Sequence, residues 1–201
     1  YSYTSNPQLL TMVAASKEAL AQAIRAFKPG SRLGEVGAAI HRAVQGFGFQ
    51  PIQNLSGHKM ERYTLHAGKS VPNVAADTGG RLEPGEVYAI EPFVTTLDGA
   101  GRVVEGADAY IYRFVKEKGA KSGGEKDLVR EIRERFRTLP FTVRWLADRA
   151  VEKTFHAVFE RLLSAGNVEA YPVLRERWGR PVAQSEHTVV VTESGCRVLT
   201  A

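Results

Sequence analysis

The sequence predicts a mixed α/β (α+β) chain carrying a small helical insert. Three observations carry that expectation. Apolar residues recur at helical spacing as far as Val44. The stretch "LEPGEVYAIEPFVTTL" then alternates as a strand does. Helical spacing returns between about Lys118 and Val173, before "PVAQSEHTVVVTESGCRVL" reverts to the strand pattern.

The elements follow in chain order. Tyr1 to Thr4, "YSYT", alternates like the end of a strand. Asn6 can cap a first helix and Pro7 suits its first turn. Leu10, Val13, Leu20, Ile24 and Phe27 give that helix one apolar stripe, and "KPGS" stops it. A second amphipathic helix turns Leu33, Val36, Ile40 and Val44 inward and ends near Gly46 and Gly48. From Phe49 to Tyr112 short strands alternate with glycine turns. Pro84-Gly85 makes the turn before the clearest strand, whose Val87, Ala89, Glu91 and Phe93 share one face. Tyr88, Ile90 and Val94 form the other face, so both sides read as covered. "KSGGEK" reads as a flexible, polar approach to the insert. Leu128, Ile132 and Phe136 form one stripe there, Phe155, Phe159, Leu162 and Leu163 a second, and Gly166 a stop. The expected divisions are 1–117, an insert at 118–173, and closing strands at 174–201.

Composition narrows the class. With 201 residues, 43% hydrophobic and 24% charged, the chain can bury a core of its own. No apolar run reaches the roughly 18 residues of a membrane span, and no secretory signal is visible at the start. Cys196 is the only cysteine. That excludes an internal disulfide and a Cys-based zinc site, and fits a reducing, cytoplasmic setting. A net charge of +5 permits a polyanionic partner without naming one. The chain begins at Tyr1 rather than Met, which reads as a processed, trimmed or partial sequence.

The residues that invite chemistry are two glutamates and two histidines. Glu91 lies within an apolar strand and Glu186 just before "HTVVV". A buried ionised carboxylate must be paired or metal-bound. A salt bridge to one of the many arginines would satisfy either one alone. His58 and His66 sit in "NLSGHKMERYTLHAGKSVPNV", and imidazole with carboxylate suits Mn, Fe, Co or Zn ions. The spacing of the two histidines is not that of a helical zinc motif, so residue chemistry leaves the metal site and the salt bridge both open. His41 and His156 read as surface residues. His187, on the face opposite Glu186, reads as a supporting group. The basic run from Arg113 to Arg137 is interleaved with acids and reads as a solvated helical face.

"NLSGHKMERYTLHAGKSVPNV", "LEPGEVYAIEPF", "TLPFTVRWL" and "AQSEHTVVV", in this order, resemble type 2 methionine aminopeptidase in its archaeal-like form. The resemblance covers nearly the whole chain. It implies a pita-bread fold, in which two pseudo-symmetric α/β halves flank a two-metal site. The chain would supply the C-terminal half, a curved, mostly antiparallel sheet covered by helices, and the insert would be the one typical of type 2. His58 resembles the family's histidine ligand, and His66 the histidine that contacts substrate and tetrahedral intermediate. Glu91 resembles the carboxylate that binds metal and handles the proton of the attacking water. Glu186 resembles the glutamate that bridges two divalent ions (Co, Mn, Fe or Zn). Leu65 and the "LPF" loop around Pro140 resemble the wall of the methionine pocket.

The family has two further aspartate ligands and an upstream histidine. The resemblance implies that this chain begins after them; Asp77, Asp98 and Asp108 match no such motif. Three of five ligands would then be present, and the chain alone would be inactive until joined to the missing N-terminal half. The implied activity of the intact parent is cytoplasmic removal of the initiator methionine from peptide or nascent-chain N-termini, with transient ribosome contact and no membrane partner. Two rivals stay open. One is a metal-free pita-bread protein binding RNA, ribosomes or proteins. The other is a relative cleaving beside proline, for which the histidine pattern and the insert argue poorly.

Overall fold

The computed structural model describes residues 4–76, 79–146, 148 and 153–200. The strand expected at Tyr1 to Thr4 falls mostly outside the described residues, as does Asp77. The chain forms two compact units: residues 1–61, 66–104 and 175–201 make the first, and residues 62–65 and 105–174 the second.

The first unit starts with α1 (Pro7–Ala26). The Asn6 side chain accepts the N–H groups of Gln8 at 2.9 Å and Leu9 at 3.4 Å, and Pro7 occupies the first turn. Its buried face keeps Leu20 and Phe27 of the expected stripe, with Val13 and Ile24 packed against it, and adds small residues. Met12, Ala15, Ser16, Ala19, Leu20, Ala23 and Phe27 are buried, whereas Leu10 is exposed and Val13 and Ile24 are half-buried. α2 (Leu33–Gly46) buries Leu33, Val36, Ile40 and Val44 as its periodicity requires, and these join the α1 face in one core with Tyr88, Ile90, Val94 and Val189. Fully burying each such side chain is worth about 1.5–3 kcal/mol.

The strands of this unit form two antiparallel sheets. Three strands run β1 (Phe49–Pro51), β5 (Phe93–Thr96), β8 (Val182–Gln184). Five run β10 (Cys196–Val198), β9 (His187–Val191), β4 (Val87–Ile90), β2 (Ser56–Met60), β3 (Ser70–Pro72). The expected single strand from Val87 to Val94 is therefore two, in different sheets, with Glu91 and Pro92 between them. Pro92 has no N–H to continue a ladder, while its carbonyl accepts the Ser185 N–H at 3.4 Å.

The chain leaves the first unit within β6 (Val103–Phe114) and re-enters it at the end of β7 (Val168–Glu176); these two strands pair. The second unit holds α3 (Gly123–Phe136), a 3-10 turn at Val143–Leu146 and α4 (Phe155–Ser164). "KSGGEK" is mostly helix, because Ser122 caps α3 by accepting the Glu125 N–H at 3.2 Å. Leu128, Ile132, Phe155, Phe159 and Leu162 are buried in a core with Phe141 and Leu146, against which Phe136 and Leu163 pack. Gly166 follows α4 at φ +65°, the left-handed conformation that ends helices. The arginines of α3 face acids: Arg133 pairs with Glu117 at 2.6 Å and Arg135 with Glu131 at 2.9 Å.

Candidate metal centre

The strand register builds the site. β2 and β4 pair antiparallel with His58 opposite Ala89. Glu91 lies two residues beyond Ala89 and so returns to the same face. His58 Nε2 then lies 3.4 Å from Glu91 Oε1, with both side chains mostly buried. Gly57 makes this approach feasible: a Cβ there would lie 2.3 Å from the Ala89 carbonyl oxygen. The His66 ring stands 4.3 Å from the His58 ring, tilted by 57°, and His66 is exposed.

The loop that carries His66 is tied to β2 and β4 around Glu86. Lys59 N–H donates to the Lys69 carbonyl at 2.9 Å, and Ala67 N–H to the Lys59 carbonyl at 2.8 Å. Both lysines reach the Glu86 carboxylate, Lys69 at 2.7 Å and Lys59 at 3.2 Å. The Tyr88 hydroxyl donates to it at 2.8 Å and the Glu83 N–H at 3.0 Å. Burial alone would push this carboxyl up, yet those donors hold it down to about 2.

Glu186 sits between β8 and β9 and is exposed. The Gln184 amide links it to Glu91, donating to Oε2 of each at 3.2 Å. Burial, with the Glu186 charge added, raises the Glu91 carboxyl from 4.5 to about 7, while the Gln184 hydrogen bond opposes the rise. Gln184 was not singled out in the sequence. Its signal was spacing: in "AQSEHT" it lies two residues before Glu186.

Two carboxylates held near one another beside an imidazole suit a divalent cation in donor type. They do not suffice in number. Among the described residues no group of three or more His, Cys, Asp or Glu side chains is arranged to hold a metal ion. Leu65 and Pro140 both belong to the second unit. Pro140, with Tyr110, Ile111, Phe141, Thr142, Arg144 and Trp145, lines a cavity of about 550 Å³. Asp98 is exposed and pairs with Arg180 at 2.8 Å, and His187 Nδ1 lies 3.1 Å from Thr200 Oγ1. His156 is exposed, and its ring meets that of Phe155.

This α/β fold brings a strand imidazole beside carboxylates at strand ends, donors of the type that bind divalent metals. Residues 2–193 match the model of metallopeptidase family M24, and the chain belongs to that family. It is 41% identical over 189 residues to a methionine aminopeptidase of Methanothermobacter thermautotrophicus, covering 94% of this chain and 62% of that one. It is 44% identical over 191 residues to one of Thermococcus kodakarensis, covering 94% and 64%. The chain thus spans 62–64% of the length of these relatives. Among solved structures, a thermophilic Arx1 matches with a TM-score of 0.73 at 16% identity, over 98% of this chain and 60% of that one. The methionine aminopeptidase of Thermotoga maritima matches with a TM-score of 0.57 at 26% identity, over 97% and 53%. The fold is accordingly an α/β fold of the pita-bread type.

Proposed function

We propose that this chain is the larger part of a type 2 methionine aminopeptidase, which hydrolyses the first peptide bond of cytoplasmic proteins and peptides that begin with methionine. The identity of 41–44% to proteins of that name carries the reading. The close approach of His58 and Glu91, with Glu186 tied to Glu91 through Gln184, supports it. In this reading His58, Glu91 and Glu186 hold two divalent ions together with further carboxylates from outside these residues. The ions, when bound, supply Lewis-acid polarisation of the scissile carbonyl and a water of lowered pKa.

The rest falls to the protein's own side chains. Glu91, held beside His58, is the carboxylate placed to take the proton of the attacking water and return it to the leaving amine. Gln184 orients both carboxylates by donating one hydrogen bond to each. His66 is exposed beside His58 and open to an incoming peptide, to whose carbonyl oxygen it would donate as negative charge develops. Leu65 and Pro140 contribute to an apolar wall for the methionine side chain, whose flexible thioether fills irregular space. The 201 residues alone are inactive in this reading, in which further carboxylate ligands come from elsewhere in the intact protein; among the described residues no trio of donors closes on an ion.

Cleavage of Met-Ala, Met-Gly, Met-Leu and Met-Lys peptides by the intact protein tests the assignment. Small second residues are expected to be cleaved and bulky ones spared. Equal cleavage of all four, or a preference for Xaa-Pro bonds, would overturn it.

A further inference from the structure

In the first unit, the loop at residues 97–102 and the end of β7 with the loop after it, residues 175–181, are joined around one buried carboxylate. Glu176 is only 5% exposed. Its Oε1 accepts the Ala100 N–H at 2.5 Å, and its Oε2 accepts those of Trp178 at 2.7 Å and Arg180 at 3.1 Å. The Arg177 N–H donates to the Arg102 carbonyl at 2.9 Å, and Arg180 pairs with Asp98 at 2.8 Å. From beneath, the Gln50 amide donates to the carbonyls of Thr96 at 2.9 Å, Leu97 at 3.2 Å and Gly99 at 2.9 Å. So many bonds to two short loops leave the backbone little freedom.

This rigid platform displays an uncommon set of side chains. Trp178 is 65% exposed and Leu97 66%. Arg102, Arg177 and Arg180 are exposed with them, and only Arg180 is offset by an acid, Asp98. Arg102 and Arg177 form no ion pair among the described residues. By comparison, Arg113, Arg133, Arg135 and Arg161 of the second unit each face a carboxylate. An indole held in water on fixed backbone forgoes burial it could gain against a partner.

We propose that Trp178, flanked by Arg102, Arg177 and Arg180, is a docking surface for single-stranded RNA. A flat aromatic face stacks an unpaired base, and guanidinium groups beside it take the adjoining phosphates with paired hydrogen bonds. A duplex hides its base faces, so the indole selects a single strand. RNA is where unpaired, splayed bases are most available. An acidic peptide would satisfy the arginines but leave the indole without a partner. The fixed backbone matters because it lowers the ordering cost of binding. The inference does not depend on the peptidase reading, since none of its residues belongs to the His58, Glu91 and Glu186 cluster.

The test is fluorescence anisotropy of a labelled, unstructured oligoribonucleotide of about 12 nucleotides, titrated with the 201-residue chain. The duplex, the DNA of the same sequence and a polyglutamate peptide run in parallel. Single-stranded RNA should bind most tightly. Trp178→Ala should weaken binding about 10-fold or more, and Trp178→Phe should retain most of it. Arg177→Ala should reduce the slope of log affinity against log salt by about 0.7. These exposed substitutions should leave the circular dichroism spectrum and melting temperature unchanged. The proposal is overturned if the RNA fails to bind, or binds equally well after Trp178→Ala and Arg177→Ala. Equal affinity for duplex, DNA or polyglutamate overturns it too.

Discussion

Nε2 of His58 lies 3.4 Å from Oε1 of Glu91 because β2 and β4 pair with His58 opposite Ala89. A shift of one residue in that register would turn one of the two side chains to the other face. The closeness of the two side chains is therefore a consequence of how the strands are aligned, and the alignment is locked next door by Glu86 and its lysines.

Glu91→Gln in the intact protein should lower kcat roughly 10²–10⁴-fold, the range for losing a positioned acid–base group. An amide neither takes a proton nor binds a cation as a carboxylate does. Steady-state kinetics with parallel measurement of bound metal checks this. Near-normal turnover with metal retained would remove Glu91 from the acid–base role.

Much of this was readable in the residues, and the exceptions have physical reasons. The periodicity of Leu33, Val36, Ile40 and Val44 gave the buried face of α2, because large apolar side chains mark it plainly. The stripe of α1 holds at Leu20 and Phe27, and at Val13 and Ile24 packed half-buried against the core, but not at Leu10, which is exposed; the alanines at 15, 19 and 23, too small to mark a face, complete it. Alternation from Val87 to Val94 concealed a change of sheet at Glu91 and Pro92, since two strands in line alternate as one does. His58, Glu91 and Glu186 stood out as polar groups in apolar or glycine-bearing stretches. Gln184 did not, because a neutral amide raises no electrostatic question until the two carboxylates it joins are seen together.

The raised Glu91 carboxyl makes a stability prediction for the metal-free chain. Its folded value of about 7 exceeds the ordinary 4.5. The folded state therefore binds more protons between those values, and stability falls as pH rises from about 4.5 through about 7. Glu91→Gln removes that penalty. The variant should melt near the wild-type temperature at about pH 5 and several degrees above it at about pH 8, with an upper bound of about 3 kcal/mol. Calorimetric scans at both pH values decide it. A variant that gains nothing at the higher pH would show that Glu91 ionises freely.

Gly57→Ala should destabilise the first unit by about 1–3 kcal/mol, as overpacking does. The added Cβ would lie 2.3 Å from the Ala89 carbonyl oxygen, a backbone atom that cannot swing aside. The separation of β2 and β4 would grow, and with it the distance between His58 and Glu91. A melting temperature lowered by about 2–4 °C per kcal/mol is expected. An unchanged melting temperature would mean that the two strands slide apart at no cost.

His66→Ala and His58→Ala should separate the two histidine roles in the intact protein. His58 is mostly buried against Glu91, whereas His66 is exposed on the loop tied to β2. Loss of His58 should weaken metal binding first. Loss of His66 should lower kcat roughly 10²–10³-fold, the range for one donor to a developing oxyanion, with metal retained. Calorimetric metal titration of each variant beside its kinetics gives the answer. Equal metal loss from both would undo the division of roles.

The 201-residue chain by itself should bind Mn or Co ions weakly and cleave no Met-Ala-Ser. His58, Glu91 and Glu186 are its candidate donors, and no described trio closes on one ion. Two ions sharing three protein ligands leave most coordination positions to water, and each lacks carboxylate charge to offset its own. The Glu91 carboxyl at about 7 adds a proton that the first ion must displace near neutrality. Affinity should therefore rise with pH, and Glu186→Gln should weaken it further, although relieving the repulsion that Glu186 exerts on Glu91. Isothermal titration of the wild-type chain and that variant at about pH 6 and about pH 8 measures both effects. Tight, stoichiometric binding of two ions with metal-dependent cleavage would show that these residues already hold a complete centre, and that the need for outside carboxylates is mistaken.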